Sequence, residues 1–265
     1  MTDHAMSLNY STYLKLQQML ELQQPQSDPA EHDEMLFIVI HQVYELWFKL
    51  CLHELDKLNE DLSAGRLFDG LGTLKRVRMV LKTLVGQLDI METMTPISFT
   101  AFRDRLEQAS GFQSLQFREF EFLLGYKRTE MLKHLDPSWA GYDRVQRRLR
   151  EPSVVDHLYD FLELNGVKVP SELRRLDPPR CTEPSSEVQR GVLELYRRKP
   201  EAAMLFEALL DIDEGLQEWR YRHVKLVERT IGSKRGTGGS LGVEFLKRSL
   251  FQPVFADLWA IRHEF

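Results

Sequence analysis

Apolar positions recur along this chain with a period near 3.6 residues, and the pattern is helical almost from end to end. The strongest run is Asp33 to Leu62, where Leu36, Phe37, Ile40, Val43, Tyr44, Trp47, Leu50, Leu55 and Leu58 follow helical spacing. Its middle, Met35 to Cys51, is apolar nearly all round, which predicts a helix through the core. A second long helix is predicted over Arg66 to Met94, stopped at Thr95-Pro96. A third starts at Pro200 and runs without a break to Ile231, with Gly232 as its stop. Shorter helices are predicted over Tyr10 to Leu22, Ile97 to Leu106, Phe112 to Leu124, Ser153 to Leu164, Ser186 to Arg198, Val243 to Phe251 and Val254 to Ile261. No run alternates like a strand, and no internal repeat is visible. The expected fold is all-α, a single helical domain over residues 1–265.

Composition narrows the class without naming a function. With 43% hydrophobic and 28% charged residues in 265, one core can be buried. The net charge of -5 gives no global attraction to nucleic acid or an anionic membrane, so neither partner is expected. The N-terminus, MTDHAMSLNYSTYL, has no basic and then apolar signal pattern, and no apolar run is expected to reach the roughly 18–20 residues of a membrane span. Two cysteines, Cys51 and Cys181, make no disulfide framework, and a cytoplasmic setting is expected. The Leu176 to Ser186 stretch reads as an exposed loop. Tyr10, Tyr13 and Leu14 give the first helix more apolar surface than its own packing needs, as a segment that docks on a neighbouring subunit would.

The candidate chemistry starts with Trp219 to Ser240, where a helix carrying His223 breaks into the glycine-rich Arg235 to Ser240. A helix holds an imidazole rigidly, and such a loop lets backbone approach a polar ligand group. Of the eight histidines, His41 stands out because it lies in LFIVIHQVYELW. A lone histidine on such a helix is at least as often a satisfied core imidazole as a ligand, and the same holds for His223. His32, beside Asp33 and Glu34, reads as a helix cap. Arg220, Arg222 and Lys225 around His223 disfavour an imidazolium, so a neutral ring is expected there. There is no HxxxH, HExxH, CxxC or EF-hand pattern, which argues against a multi-residue zinc or calcium site. Haem needs only one protein axial ligand and fits the spacing. The glycine loop has no G-x-x-x-x-G-K-[ST] and follows no strand, so a P-loop is a poor reading. Arg103 lies among apolar neighbours, either paired with Asp104 or Glu107 or aimed at an anionic ligand.

Taken together, YSTYL (10–14), HDEMLFIVIHQVYELWFK (32–49), FRDRLEQASGFQSLQFREFEFLLG (102–125) and WRYRHVKLVERTIGSKRGTGGS (219–240) resemble the tryptophan 2,3-dioxygenase family over nearly the whole chain. That resemblance implies a homotetramer whose subunits each enclose one haem b, with Fe(II) in the active form and O2 as co-substrate. It implies cleavage of the indole C2–C3 bond of L-tryptophan, or a close indole analogue, to N-formyl-L-kynurenine. His223 falls on the axial iron ligand, with Ser110, Gly111 and Gly236 against the haem. His41 falls on the histidine that hydrogen-bonds the indole N–H, and Phe37 on the aromatic that packs on the indole. Arg103 falls on the partner of the substrate carboxylate, Thr237 on the threonine holding the amino-acid end, and Leu106 on a pocket wall. Tyr10, Tyr13 and Leu14, within residues 1–23, fall on the segment that completes the neighbouring subunit's site. Phe99 is a departure, since some bacterial members carry there a tyrosine that adds a carboxylate hydrogen bond.

Two other outcomes share these motifs. A related haem monooxygenase would insert one oxygen into a β-substituted tryptophan or an indole for natural-product synthesis. A non-catalytic haem-binding sensor would have no use for Arg103 and Thr237 converging on an amino acid.

Overall fold

The computed structural model describes residues 8–174, 179–234, 236 and 242–265. Its twelve α-helices among these residues are α1 (Tyr10–Leu14), α2 (Leu16–Leu20), α3 (His32–Ser63), α4 (Leu67–Met91), α5 (Pro96–Arg103), α6 (Leu115–Leu124), α7 (Tyr142–Arg150), α8 (Val154–Leu164), α9 (Ser186–Arg198), α10 (Pro200–Ile231), α11 (Val243–Lys247) and α12 (Ala256–Ala260). The described residues contain no strand, and the fold is all-α as expected.

Helices α3, α4 and α10 form the frame, with α4 packed between the other two and α6 and α8 against α3. Each frame helix presents a stripe at helical spacing. Ile40, Tyr44, Phe48, Cys51, Leu55, Leu58 and Leu62 are buried on α3, and Leu74, Val77, Leu81, Leu84 and Leu88 on α4. Leu205, Leu209, Leu216 and Trp219 answer them from α10. Leu55 and Leu58 have no accessible surface, so truncating either to alanine costs about 2–5 kcal/mol. One core cluster runs from Ile40 to Ile261, and a satellite of Phe122, Leu135, Val145 and Leu149 sits under α7.

Helix ends follow local chemistry. Pro200 occupies the first turn of α10, and Gly232 stops it with φ of 60°. Thr95 caps α5 ahead of Pro96, and Ser153 caps α8 in a reciprocal box with Asp156. Gly125 ends α6 with φ of 123°, a conformation that L side chains avoid.

Several expectations need correction. The Tyr10 to Leu22 helix is two short helices, because Lys15 takes a left-handed φ of 51° between them. His32 opens α3 without capping it; Glu31 is the cap position and makes no side-chain bond. Glu34 instead ties the preceding loop, accepting N–H bonds from Gln26 at 2.7 Å and Ser27 at 3.0 Å. The helix expected over Val243 to Phe251 ends at Lys247, and Phe251 has φ of 59°. Helix α7 was not anticipated. An 18-residue window of α3 reaches mean hydropathy 1.5, so by length and composition one apolar run does match a membrane span. In this structure the run lines a cavity on one side and packs on α4, α6 and α8.

Candidate active site

The frame leaves a cavity of about 290 Å³ between α3, the end of α4, α5, the start of α6 and the C-terminal half of α10. Its walls are mostly apolar and include Ile40, Phe48, Leu88, Met91, Met94, Phe117 and Val227. Nine residues singled out from the sequence meet in it: Phe37, His41, Phe99, Arg103, Leu106, Ser110, Gly111, His223 and Gly236. They come from five separate stretches that only the tertiary fold brings together.

His41 faces the cavity from the middle of α3. Its side chain keeps accessible surface and lines the cavity wall. Nδ1 lies 2.7 Å from the carbonyl oxygen of Phe37 one turn earlier. A carbonyl only accepts, so Nδ1 carries the proton and Nε2 is left as an acceptor. Burial holds the His41 pKa below its ordinary value, against the opposing effects of the Phe37 carbonyl and the charge on Glu45. The Phe37 ring packs on the imidazole at 4.1 Å between centroids and on Phe99 and Phe102 at 5.8 and 5.6 Å.

His223 faces the same cavity from α10. Burial pushes its pKa down to about 4, and the nearby His41 adds to that. The neutral ring expected from the sequence is therefore found, with a different cause. The flanking basic residues each engage a carboxylate: Arg220 contacts Glu121, Arg222 contacts Asp89 and Glu92, and Lys225 contacts Glu228. The His223 ring lies parallel to Trp219, 3° between planes and 5.1 Å between centroids. Trp219 in turn donates to the Tyr44 hydroxyl at 3.4 Å and packs on Phe117. Among the described residues His223 makes no hydrogen bond, so stacking sets its orientation.

Arg103 ends α5 and borders the cavity beside Phe99. Ser110 caps the 3-10 turn Gly111–Gln113 through a reciprocal box with Gln113, which fixes the loop at the cavity edge. Tyr10, Tyr13 and Leu14 do not join this cavity; they are exposed, Tyr10 at 75%. Thr237 lies outside the described residues, as do most of the glycine loop and residues 175–178.

The cavity also gathers residues that sequence reading did not single out: Glu45, Arg118, Glu121 and Arg128. Glu45 sits one turn beyond His41 and is held by Gln116, whose amide donates to its carboxylate and backbone carbonyl at 2.9 Å each. Charges embedded in the apolar run LQFREFEFLL were the available signal for Arg118 and Glu121.

One other constellation carries no chemistry. Ser63, His157 and Asp160 lie together, but serine and carboxylate both contact Nδ1, so the imidazole cannot relay a proton between them as a triad does. The group clips the end of α3 to α8. No cluster of three or more His, Cys, Asp or Glu suited to a metal ion exists among the described residues.

Comparison with known proteins gives this cavity a family. The chain is 52% identical over 256 residues to a protein named tryptophan 2,3-dioxygenase from Herpetosiphon aurantiacus, covering 97% of this chain and 98% of that one. It is 52% identical over 265 residues to one so named from Anaeromyxobacter dehalogenans, covering 99% of each. A more distant relative of that name, from Saccharopolyspora erythraea, is 42% identical over 97% of this chain and 92% of its own. The family profile described as tryptophan 2,3-dioxygenase matches residues 1–153 and 186–264, and the chain belongs to that family.

Proposed function

We propose that the protein is a haem-dependent dioxygenase that opens the indole C2–C3 bond of L-tryptophan with O2 to give N-formyl-L-kynurenine. The carrying observation is the facing pair of neutral histidines, His41 on α3 and His223 on α10, in one apolar cavity bordered by Arg103. Family membership supplies the substrate and the reaction.

The residues suit haem b. A ferrous iron takes a neutral imidazole, and His223 offers one on a rigid helix with no competing hydrogen bond among the described residues. Phe48, Phe117 and Trp219 offer apolar walls to a porphyrin face, and Ser110, Gly111 and Gly236 line the same space. When bound, haem supplies the redox-active iron at which O2 is activated.

The remaining work falls to side chains of the chain. Arg103 binds the substrate carboxylate, a role that suits the planar guanidinium fork. Thr237 takes part at the same amino-acid end. Phe37 and Leu106 pack on the indole, and the Phe37, Phe99 and Phe102 rings brace one another. Nε2 of His41 accepts the indole N–H, the donor–acceptor match left once Nδ1 donates to Phe37. His41 is thereby an orienting acceptor. Fixing both ends of the substrate turns encounter into near-attack geometry, which supplies much of the rate.

The protein acts as a single helical domain within a homotetramer, and residues 1–23 complete a neighbouring copy's site. The exposed Tyr10, Tyr13 and Leu14 support this, since such apolar surface calls for a partner. Mixing His223→Ala subunits with subunits lacking residues 1–22 tests it: activity returns if the segment works in trans.

The deciding experiment is anaerobic reconstitution with haem followed by an 18O2 pulse with L-tryptophan. Two labelled oxygens in a formylkynurenine product are expected. One labelled oxygen would favour a monooxygenase, and no tryptophan-dependent spectral change would favour a sensor.

A further inference from the structure

Helix α10 holds the chain end through a ladder of polar side chains. Asp213, Gln217 and Arg220, at positions i, i+4 and i+7, share one face of the helix. Each of them bonds backbone of the segment that returns along it. Asp213 accepts from the N–H groups of Val254 and Phe255 at 2.9 and 3.1 Å and from the indole of Trp259 at 3.0 Å. Arg220 donates to the carbonyls of Ser249 and Gln252 at 3.3 and 3.4 Å. Gln217, between them, accepts from the Phe251 N–H at 3.1 Å and donates to the Gln252 carbonyl at 2.7 Å.

Gln217 therefore grips both sides of one residue, and that residue is strained. Phe251 has φ of 59°, the left-handed region in which a Cβ crowds the following carbonyl. The residue is 87% exposed, so packing of its ring does not account for the conformation. The flanking bonds do. An amide carries an acceptor and a donor at one end of a side chain, so Gln217 takes the Phe251 N–H and the Gln252 carbonyl together. Strain of this kind persists only where the surrounding contacts over-determine the backbone.

The gripped turn closes a stretch that walls the cavity. Gly242, Phe245, Leu246 and Ser249 line it, just before Phe251 in the chain. Phe245 reaches across to Phe112 in the Gly111–Gln113 turn, edge-on at 5.1 Å. The ion pair of Lys247 with Glu228, at 3.8 Å and with side chains 43% and 39% exposed, adds little to that placement. Asp213 fixes the chain from Val254 onward independently, so Gln217 governs the stretch before it.

We propose that Gln217 is a positioning residue for the reaction: by clamping the backbone at Phe251 and Gln252, it sets the 242–249 stretch as a fixed wall of the substrate cavity. This rests on the function proposed above. Gln217 does not line the cavity and acts through Phe245, Leu246 and Ser249.

Gln217→Met removes both bonds at nearly constant side-chain length. KM for L-tryptophan is expected to rise on the order of 3–10-fold, the scale of one or two neutral hydrogen bonds, with kcat nearly unchanged. In the haem-free protein, amide exchange over residues 243–251 is expected to quicken by a similar factor, while Val254 to Ile261 keeps its rate. Glycine adopts φ of 59° without strain, so Phe251→Gly in the Gln217→Met background is expected to restore part of both losses. Phe251→Ala, which removes the ring and keeps the Cβ, is expected to restore neither. A fall in kcat at unchanged KM, as plain loss of folded protein predicts, would overturn the positioning role. So would unchanged exchange, or equal rescue by glycine and alanine. Should Gln217→Met fail to fold by circular dichroism, Gln217→Glu keeps the acceptor and loses the donor. It is expected to raise KM by a smaller factor with the same glycine rescue, and an unchanged KM would overturn the proposal. A wild type that turns over no tryptophan would sink the functional reading alone; exchange in the haem-free protein and its rescue by glycine would still decide the clamp.

Discussion

His41 and His223 sit on two helices of 32 residues each, face one cavity and are both held neutral by burial, yet they are fixed differently. His41 is tied through Nδ1 to the carbonyl of Phe37, which leaves one defined acceptor, Nε2. His223 makes no hydrogen bond among the described residues and is oriented by the parallel face of Trp219. Burial therefore decides protonation at both positions, and the neighbour on each helix decides the role. A ring with one nitrogen already donating is suited to receive an N–H. A ring held only by stacking keeps a lone pair for a metal.

The sharpest break of that contrast is His223→Ala. Haem affinity is expected to fall more than about a hundredfold, beyond the 10–100-fold typical of removing a group that merely supports a ligand. Unchanged occupancy and Soret position would remove His223 from the iron. Acid probes the same ring without mutation. Its folded pKa is about 4 against an ordinary 6.5, so between these values the folded haem-free protein binds fewer protons than the unfolded chain. The corresponding stability is fully present above about pH 6.5 and is lost as pH falls toward 4. Urea midpoints are expected to drop from pH 7 to pH 5, with a smaller drop in His223→Ala. An equal drop in the two proteins would mean that other groups carry the effect.

Arg103→Leu comes next. It leaves both histidines in place, and kcat/KM for L-tryptophan is expected to fall about 10–100-fold, the scale of a charged hydrogen-bonded contact. Haem binding is expected to be untouched; a matching loss of haem would place Arg103 with the cofactor. His41→Ala follows, with turnover slowed about tenfold, the scale of one neutral hydrogen bond plus lost packing on Phe37. An inactive variant with full haem occupancy would make His41 more than an orienting acceptor.

The same contrast marks what the chain shows before folding. The frame helices were legible because their apolar stripes are long and their ends carry Pro200, Gly232 or Thr95. Helix α7 was not, since YDRVQRRLR buries only Val145 and Leu149 and reads as a polar segment. The left-handed Lys15 gave no warning in a run of good helix formers. The residues that meet in the cavity were named because they stand in recognisable motifs. The arginines around Glu121 were missed because Arg118 and Glu121, three apart on a helix, pass for an ordinary solvated pair, although the apolar residues around them in LQFREFEFLL hint otherwise. Only packing of α10 and the Arg128 segment onto α6 shows that pair to be buried with two further cations. Burial of charge is a tertiary fact, and local spacing does not carry it.

The smallest change asks whether the substrate end can be tightened without disturbing either histidine. Phe99 is half-buried, lines the cavity next to Arg103, and packs edge-on against Phe102 at 5.4 Å and against Phe37 at 5.8 Å. Phe99→Tyr keeps those ring contacts and adds one hydroxyl. Where that hydroxyl reaches the carboxylate held by Arg103, it adds a charge-assisted bond in a site already partly desolvated. KM for L-tryptophan is then expected to fall severalfold, about 1 kcal/mol, with kcat nearly unchanged, because the contact exists equally before and during reaction. Indole itself, which has no carboxylate, is expected to gain nothing and serves as the control. A fall in kcat would mean that the added hydroxyl has shifted Phe37 on His41, and that the aromatic brace sets the histidine as well as the substrate.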